Sequence, residues 1–190
     1  MKNQLLVLAA ALSCAFAASA LATTKVEYKA ETTRISADYK VAKEKCSALK
    51  SNAKDVCVLE AKGVEKVAKA EAEAAYEPSA KHTQAVANVK ADTAYKVAKE
   101  KCDDLSGNAK DVCVKDAKVI HVKGLEDAKI ARVAADTSST KSDKMMAVKK
   151  DANAEEREAG FKAAKERCDA LAGAVKDTCV MDAKAKFSMK

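Results

Sequence analysis

Tyr39-Lys-Val-Ala-Lys-Glu-Lys-Cys46, followed by Asn52-Ala-Lys-Asp-Val-Cys57, returns from Tyr95 to Cys113 and again from Phe161 to Cys179. Each copy carries two cysteines in the spacing C-x10-C. A pattern written three times means one supersecondary unit used three times, so the architecture follows from what a single copy must do.

In the first copy Tyr28, Ile35, Tyr39, Ala42, Cys46 and Leu49 follow helical steps of three, four and seven, and the pattern restarts with Ala53, Cys57, Ala61, Val64 and Ala68. One unbroken helix would hold its two cysteines roughly 16 Å apart. A disulfide spans at most about 7 Å between Cα atoms, so for the pair to bond the chain must reverse between them. Ser51-Asn52, Ser106-Gly107-Asn108 and Ala172-Gly173 stand at the reversal, where they supply tolerance of positive φ and, in the first two copies, helix caps. Each copy is thus expected to be an αα-hairpin, stapled as Cys46–Cys57, Cys102–Cys113 and Cys168–Cys179. The register set by the cysteines puts Tyr39 opposite Val64, Tyr95 opposite Ile120, and Phe161 opposite Lys186 and against Phe187. Pairs of alanines beside the staples allow the close approach a disulfide needs.

Ala, Lys, Glu and Val dominate the chain, there are 5 Gly and 1 Pro, and Trp is absent. Such composition favours long helices with a thin core. The fold class read from it is all-α, three disulfide-stapled hairpins in tandem, elongated. The expected helices run 25–50, 53–76, 79–105, 109–135, 142–171 and 174–187. Pro78 separates the first two units. The spacing from Tyr95 to Phe161 exceeds that from Tyr39 to Tyr95, and the polar run Asp136-Thr-Ser-Ser-Thr-Lys-Ser-Asp143 is where the insertion lies. The units are therefore 23–77, 78–136 and 137–190.

Residues 1–22 have the basic, apolar and small-residue regions of a secretory signal, with Lys2 ahead of the apolar stretch and Ala20-Leu21-Ala22 at its end. Cleavage after Ala22 is expected, and no later segment is apolar enough to act as a membrane span. Cys14 sits inside the apolar stretch behind Ala11-Leu12-Ser13, which is a poor lipobox. Its removal leaves six cysteines, an even set that in an exported chain favours disulfides over metal ligation or free thiols. The mature chain keeps 34 of its 35 basic residues against 28 acidic ones. That small positive excess gives a weak preference for anionic surfaces such as phospholipid or lipopolysaccharide.

Chemistry-bearing patterns are scarce. There is no phosphate-binding glycine loop, nucleophile elbow or CxxCH, so neither a catalytic residue nor a cofactor site is expected. His82 and His121 read as solvated residues on charged helices, and Asp103-Asp104 and Glu155-Glu156 as exposed acid pairs. Met145, Met146, Met181 and Met189 read as helix packing rather than a soft copper site, leaving no metal site expected. Lysine-rich helices without interleaved aromatics do not suit specific nucleic-acid binding.

The repeated motif, seen most fully as Tyr95-Lys-Val-Ala-Lys-Glu-Lys-Cys102-Asp-Asp-Leu-Ser-Gly-Asn-Ala-Lys-Asp-Val-Cys113-Val, resembles a group of small exported proteins of β-proteobacteria often labelled cell-envelope biogenesis or TolA-like proteins. That resemblance implies export to the periplasm of a Gram-negative bacterium. The functional expectation is a non-enzymatic structural or interaction module of the cell envelope, acting on an envelope component or protein partner and connected with stress. The alternative is a module that binds or sequesters a metal ion or anionic lipid, and a third reading is thiol–disulfide exchange by the C-x10-C pairs.

Overall fold

A computed structural model describes residues 23–190 as six α-helices. The expected signal segment, its cleavage site and Cys14 lie outside the described residues. α1 (Lys25–Lys45) and α2 (Ser51–Tyr76) form the first unit, α3 (Ala80–Lys101) and α4 (Gly107–Ala134) the second, and α5 (Lys141–Cys168) and α6 (Gly173–Lys186) the third. These bounds lie close to those expected, except that α1 and α3 end earlier. Their cysteines stand at the head of short 3₁₀ turns, Cys46–Ala48 and Cys102–Asp104, which tighten the chain into the reversal.

The three staples join Cys46 to Cys57, Cys102 to Cys113 and Cys168 to Cys179, with Cα atoms 5.6, 5.7 and 5.7 Å apart. Within each pair the first sulfur is fully buried. The reversals need a left-handed residue where the second helix begins, and Ser51, Gly107 and Gly173 take φ of 50°, 54° and 56° there. The expected caps are absent at these ends: Ser106 makes no side-chain capping bond, and Asn52 and Asn108 bond elsewhere. Conventional caps are found instead at α1, where Thr24 and Glu27 form a capping box, and at α3, where Ser79 accepts from the His82 amide.

Helices pack against their neighbours in sequence, α1 on α2, α2 on α3, and so on to α6. The hairpins therefore stand side by side in a single layer, a one-dimensional array in which each unit meets only the next. Alanine fills the seams: Ala72, Ala117, Ala128, Ala152, Ala159, Ala163 and Ala183 are buried with Ile35 and the first cysteines. At the α3–α4 seam Gly124 comes so near α3 that a Cβ there would lie 3.0 Å from the Ala91 Cβ. The inserted run is ordered as well. Asp136 accepts from the Ser138 amide at 2.8 Å and from Lys144 Nζ at 2.6 Å, tying the end of α4 to the start of α5.

The aromatic pairing differs from the expected register. Val64 and Ile120 are 71% and 72% exposed. Tyr39 lies instead under the Lys62 ammonium, 4.7 Å from the ring centroid, and Tyr95 stacks on His121 at 4.6 Å. The cause is the place of the disulfide on the helix. Cys57 and Cys113 are only half-buried, at the rim of the contact stripe rather than its centre. The stripe of α4 is centred on Ala117, His121, Gly124 and Ala128, so a heptad step from Cys113 lands outside it. In the third unit Phe187 occupies the space that a Cβ on Gly160 would need, with Phe161 half-buried beside it in sequence.

Candidate interaction surface

Two kinds of contact join one unit to the next, and both recur at equivalent positions. Asn52 Nδ2 on α2 donates to the carbonyl of Glu100 on α3 at 3.1 Å, and Asn108 Nδ2 on α4 donates to the carbonyl of Glu166 on α5 at 2.8 Å. Lys101 pairs with Glu60 at 2.8 Å, and Arg167 with Asp116 at 2.5 Å. The carbonyls that the asparagines reach lie at the C-terminal end of the neighbouring helix, where each accepts one local backbone N–H, from Cys102 and Asp169, and keeps a lone pair for the asparagine. Replacing Asn52 or Asn108 by Ala is expected to cost about 1 kcal/mol each. Urea unfolding followed by circular dichroism measures that loss; no change in midpoint for either variant would show that the bond does not hold the units together.

A single layer leaves both of its faces open, and on one of them the seam between α2 and α3 sinks into a groove of about 610 Å³. Val64, Val67 and Ala68 line it from α2 and Ala94, Val97 and Ala98 from α3, with Gly63 and Thr93 between them. Gly63 deepens the seam, since a Cβ there would sit 3.3 Å from the Thr93 Cβ. The ion pairs Lys101–Glu60 and Lys90–Glu71, the latter at 2.7 Å, stand along its length. From Glu60 to Glu71 the groove follows about three helical turns, roughly 16 Å. Val64 also borders a second depression of about 260 Å³ between α1 and α2, with Ile35, Tyr39, Ala42 and Ala61. It is therefore an exposed ridge between two apolar hollows. The same seam one unit on carries Ile120 where Val64 stands and Lys123 where Val67 stands, so its counterpart is more polar.

The electrostatics are those of a built scaffold. The Glu65 carboxyl, buried on α2, is held below the usual carboxylate range by hydrogen bonds from Lys69 and Lys62. Asp169 is lowered in the same way by Lys176. Asp136 lies well below the ordinary range, chiefly through Lys144 and then through Ser138.

His121 is the clearest departure from the sequence reading. It is buried rather than solvated, with Nε2 2.6 Å from Asp92 Oδ1, Nδ1 3.2 Å from Lys118 Nζ, and its ring on Tyr95. With the ammonium able only to donate, Nδ1 accepts, and Nε2 carries the proton toward the carboxylate. His82 is drawn into the α2–α3 turn, its Nδ1 against the Glu77 carbonyl. The methionines also differ from expectation: Met146 and Met181 are exposed, whereas Met145 and Met189 are half-buried. Among the described residues no group of three or more His, Cys, Asp or Glu could hold a metal ion, and no helix is long and apolar enough to cross a membrane. Of the disulfide and packing residues named from the sequence, the structure brings together the three cysteine pairs, sets Tyr39 and Val64 on one hollow with Val64 largely exposed, and leaves Ile120 exposed while Tyr95 stacks on His121. Sequence reasoning missed Asn52, Asn108, Val67, Thr93 and Val97. The signal for the asparagines was their replacement by Ala174 in the last copy.

No family model, curated protein or solved structure matches this chain. The class that the fold defines is an all-helical protein of tandem disulfide-stapled hairpins, and three formed disulfides fit an oxidising compartment.

Proposed function

We propose that the chain is a non-enzymatic helical repeat protein of the periplasm that serves as a structural or interaction module of the cell envelope. The observation that carries the reading is the open face of the layer, where the Val64 ridge and its flanking hollows leave apolar surface uncovered on a scaffold stiffened by three staples. The export-like residues 1–22 and the resemblance to envelope proteins support the compartment. In situ photo-crosslinking from position 64 in growing Gram-negative cells is the test. A discrete crosslinked envelope partner, lost when Val67→Glu is introduced into the groove, supports the reading. No crosslink from position 64, or one indifferent to Val67→Glu, contradicts it.

The groove also favours a second reading, a module that binds an anionic lipid, because it is an open apolar trough that could take an acyl chain, with Lys101 at its rim. Calorimetry with lipopolysaccharide, copper and zinc separates the two: saturable stoichiometric heat favours ligand binding over a protein partner. Burial of Cys46, Cys102 and Cys168 confines any thiol–disulfide exchange to attack at the half-buried sulfurs of Cys57, Cys113 and Cys179.

A further inference from the structure

The joint between units changes at both ends of the array. At the first end, Ser47 stands where the later copies have Asp103 and Asp169. Those aspartates turn to Lys110 and Lys176, at 3.0 and 2.8 Å, and leave the Glu100 carbonyl to the asparagine of the preceding unit. Ser47 instead donates its hydroxyl to the Glu44 carbonyl at 2.6 Å, and since that oxygen also accepts the Cys46 amide, the second lone pair that an incoming asparagine would use is taken. At the far end, Ala174 stands where Asn52 and Asn108 reach across, and Thr178 where Val56 and Val112 are half-buried on the same stripe. The Thr178 hydroxyl is turned onto its own helix, donating to the Ala174 carbonyl at 2.9 Å. α6 has 14 residues against 26 in α2 and 28 in α4, so the last outer face is also about half the length of an internal one.

Only the charges of the joint survive at the ends. Lys45 and Asp182 are the counterparts of Lys101 and Glu60, and both are exposed with no ion-pair partner among the described residues. An isolated exposed pair contributes little, so it would not hold two chains together by itself.

We propose that the outer faces of α1 and α6 are terminal caps, built from Ser47, Ala174 and Thr178, that prevent a second copy of this chain from docking as a fourth unit. Every internal joint is heterologous, α2 or α4 of one unit against α3 or α5 of the next, and an end face that kept the full joint would extend the array from chain to chain without closing. Repeat arrays in general need ends that decline further stacking. Here the change is made by three substitutions and a shortened helix.

Sedimentation velocity over a wide concentration range tests the caps. The native chain is expected to keep the mass of one chain throughout. The triple variant S47D/A174N/T178V is expected to associate head to tail, with an apparent dissociation constant at least about tenfold lower than that of the native chain. Adding Lys45→Glu, which removes the surviving charge pair, should weaken that association. Should the triple variant fail to fold, a mixture of S47D chains with A174N/T178V chains restores one end in each partner and is expected to give a heterodimer. Two results overturn the proposal: native chains that assemble and are dispersed by Lys45→Glu, which would make the ends joints, or folded variants that remain single chains both alone and mixed.

Discussion

Reduction of the three disulfides is expected to lower the melting temperature by on the order of 10 °C or more, while most of the far-UV helical signal survives in the cold. Each staple closes a short loop, and the chain-entropy estimate for such a loop is about 3 kcal/mol. The alanine seams that remain are thin, and in a chain of this length each 1 kcal/mol shifts the transition by roughly 2–4 °C. Helix itself is favoured locally by Ala, Lys and Glu, so the reduced chain should loosen into helices that no longer hold their partners. Paired melts with and without a phosphine reductant decide the matter. Superimposable curves would mean that the staples add no stability.

Replacing Gly124 by Leu is expected to destabilise the second unit by about 2–3 kcal/mol. A Cβ alone would stand 3.0 Å from the Ala91 Cβ, and a leucine has further atoms that must go where α3 now lies. Widening that seam would also pull His121 from Asp92, a contact of 2.6 Å made across the same two helices. Gly124→Ala balances a gain of up to about 1 kcal/mol in helix propensity against the tight contact and should change little. Lys123→Leu, one position away and exposed, is the control for composition. Urea midpoints for the three variants check the order; equal losses for Lys123→Leu and Gly124→Leu would place the seam elsewhere.

The hairpins were legible in the sequence because their determinants are local. A C-x10-C pair, a left-handed residue near its middle and a helical stripe on each side are contained in one copy, and Pro78 divides two copies by itself. The register of the side chains was less legible. Choosing between positions 64 and 65, or 120 and 121, depends on whether the disulfide lies at the centre of the contact stripe or on its rim, and that is set by how the two helices lean on each other. The burial of His121 rests on Asp92, a residue 29 positions earlier in the chain, so a lone histidine among charges looked solvated. Side-by-side stacking of the units rests on Asn52 and Asn108 reaching backbone carbonyls, and a carbonyl has no residue identity to read. The trace those bonds left was comparative: Ala174 in the third copy stands where the first two have Asn52 and Asn108.

The side-by-side layer is the basis for both the groove and the end caps, and zero-length carbodiimide crosslinking followed by peptide mapping tests it most directly. Lys101 and Glu60, and Lys90 and Glu71, lie within 2.8 Å across the joint of the first two units. Crosslinks between these two pairs, formed in monomeric protein with the disulfides intact, are the expected result. A map in which every crosslink stays inside one hairpin would contradict the layer.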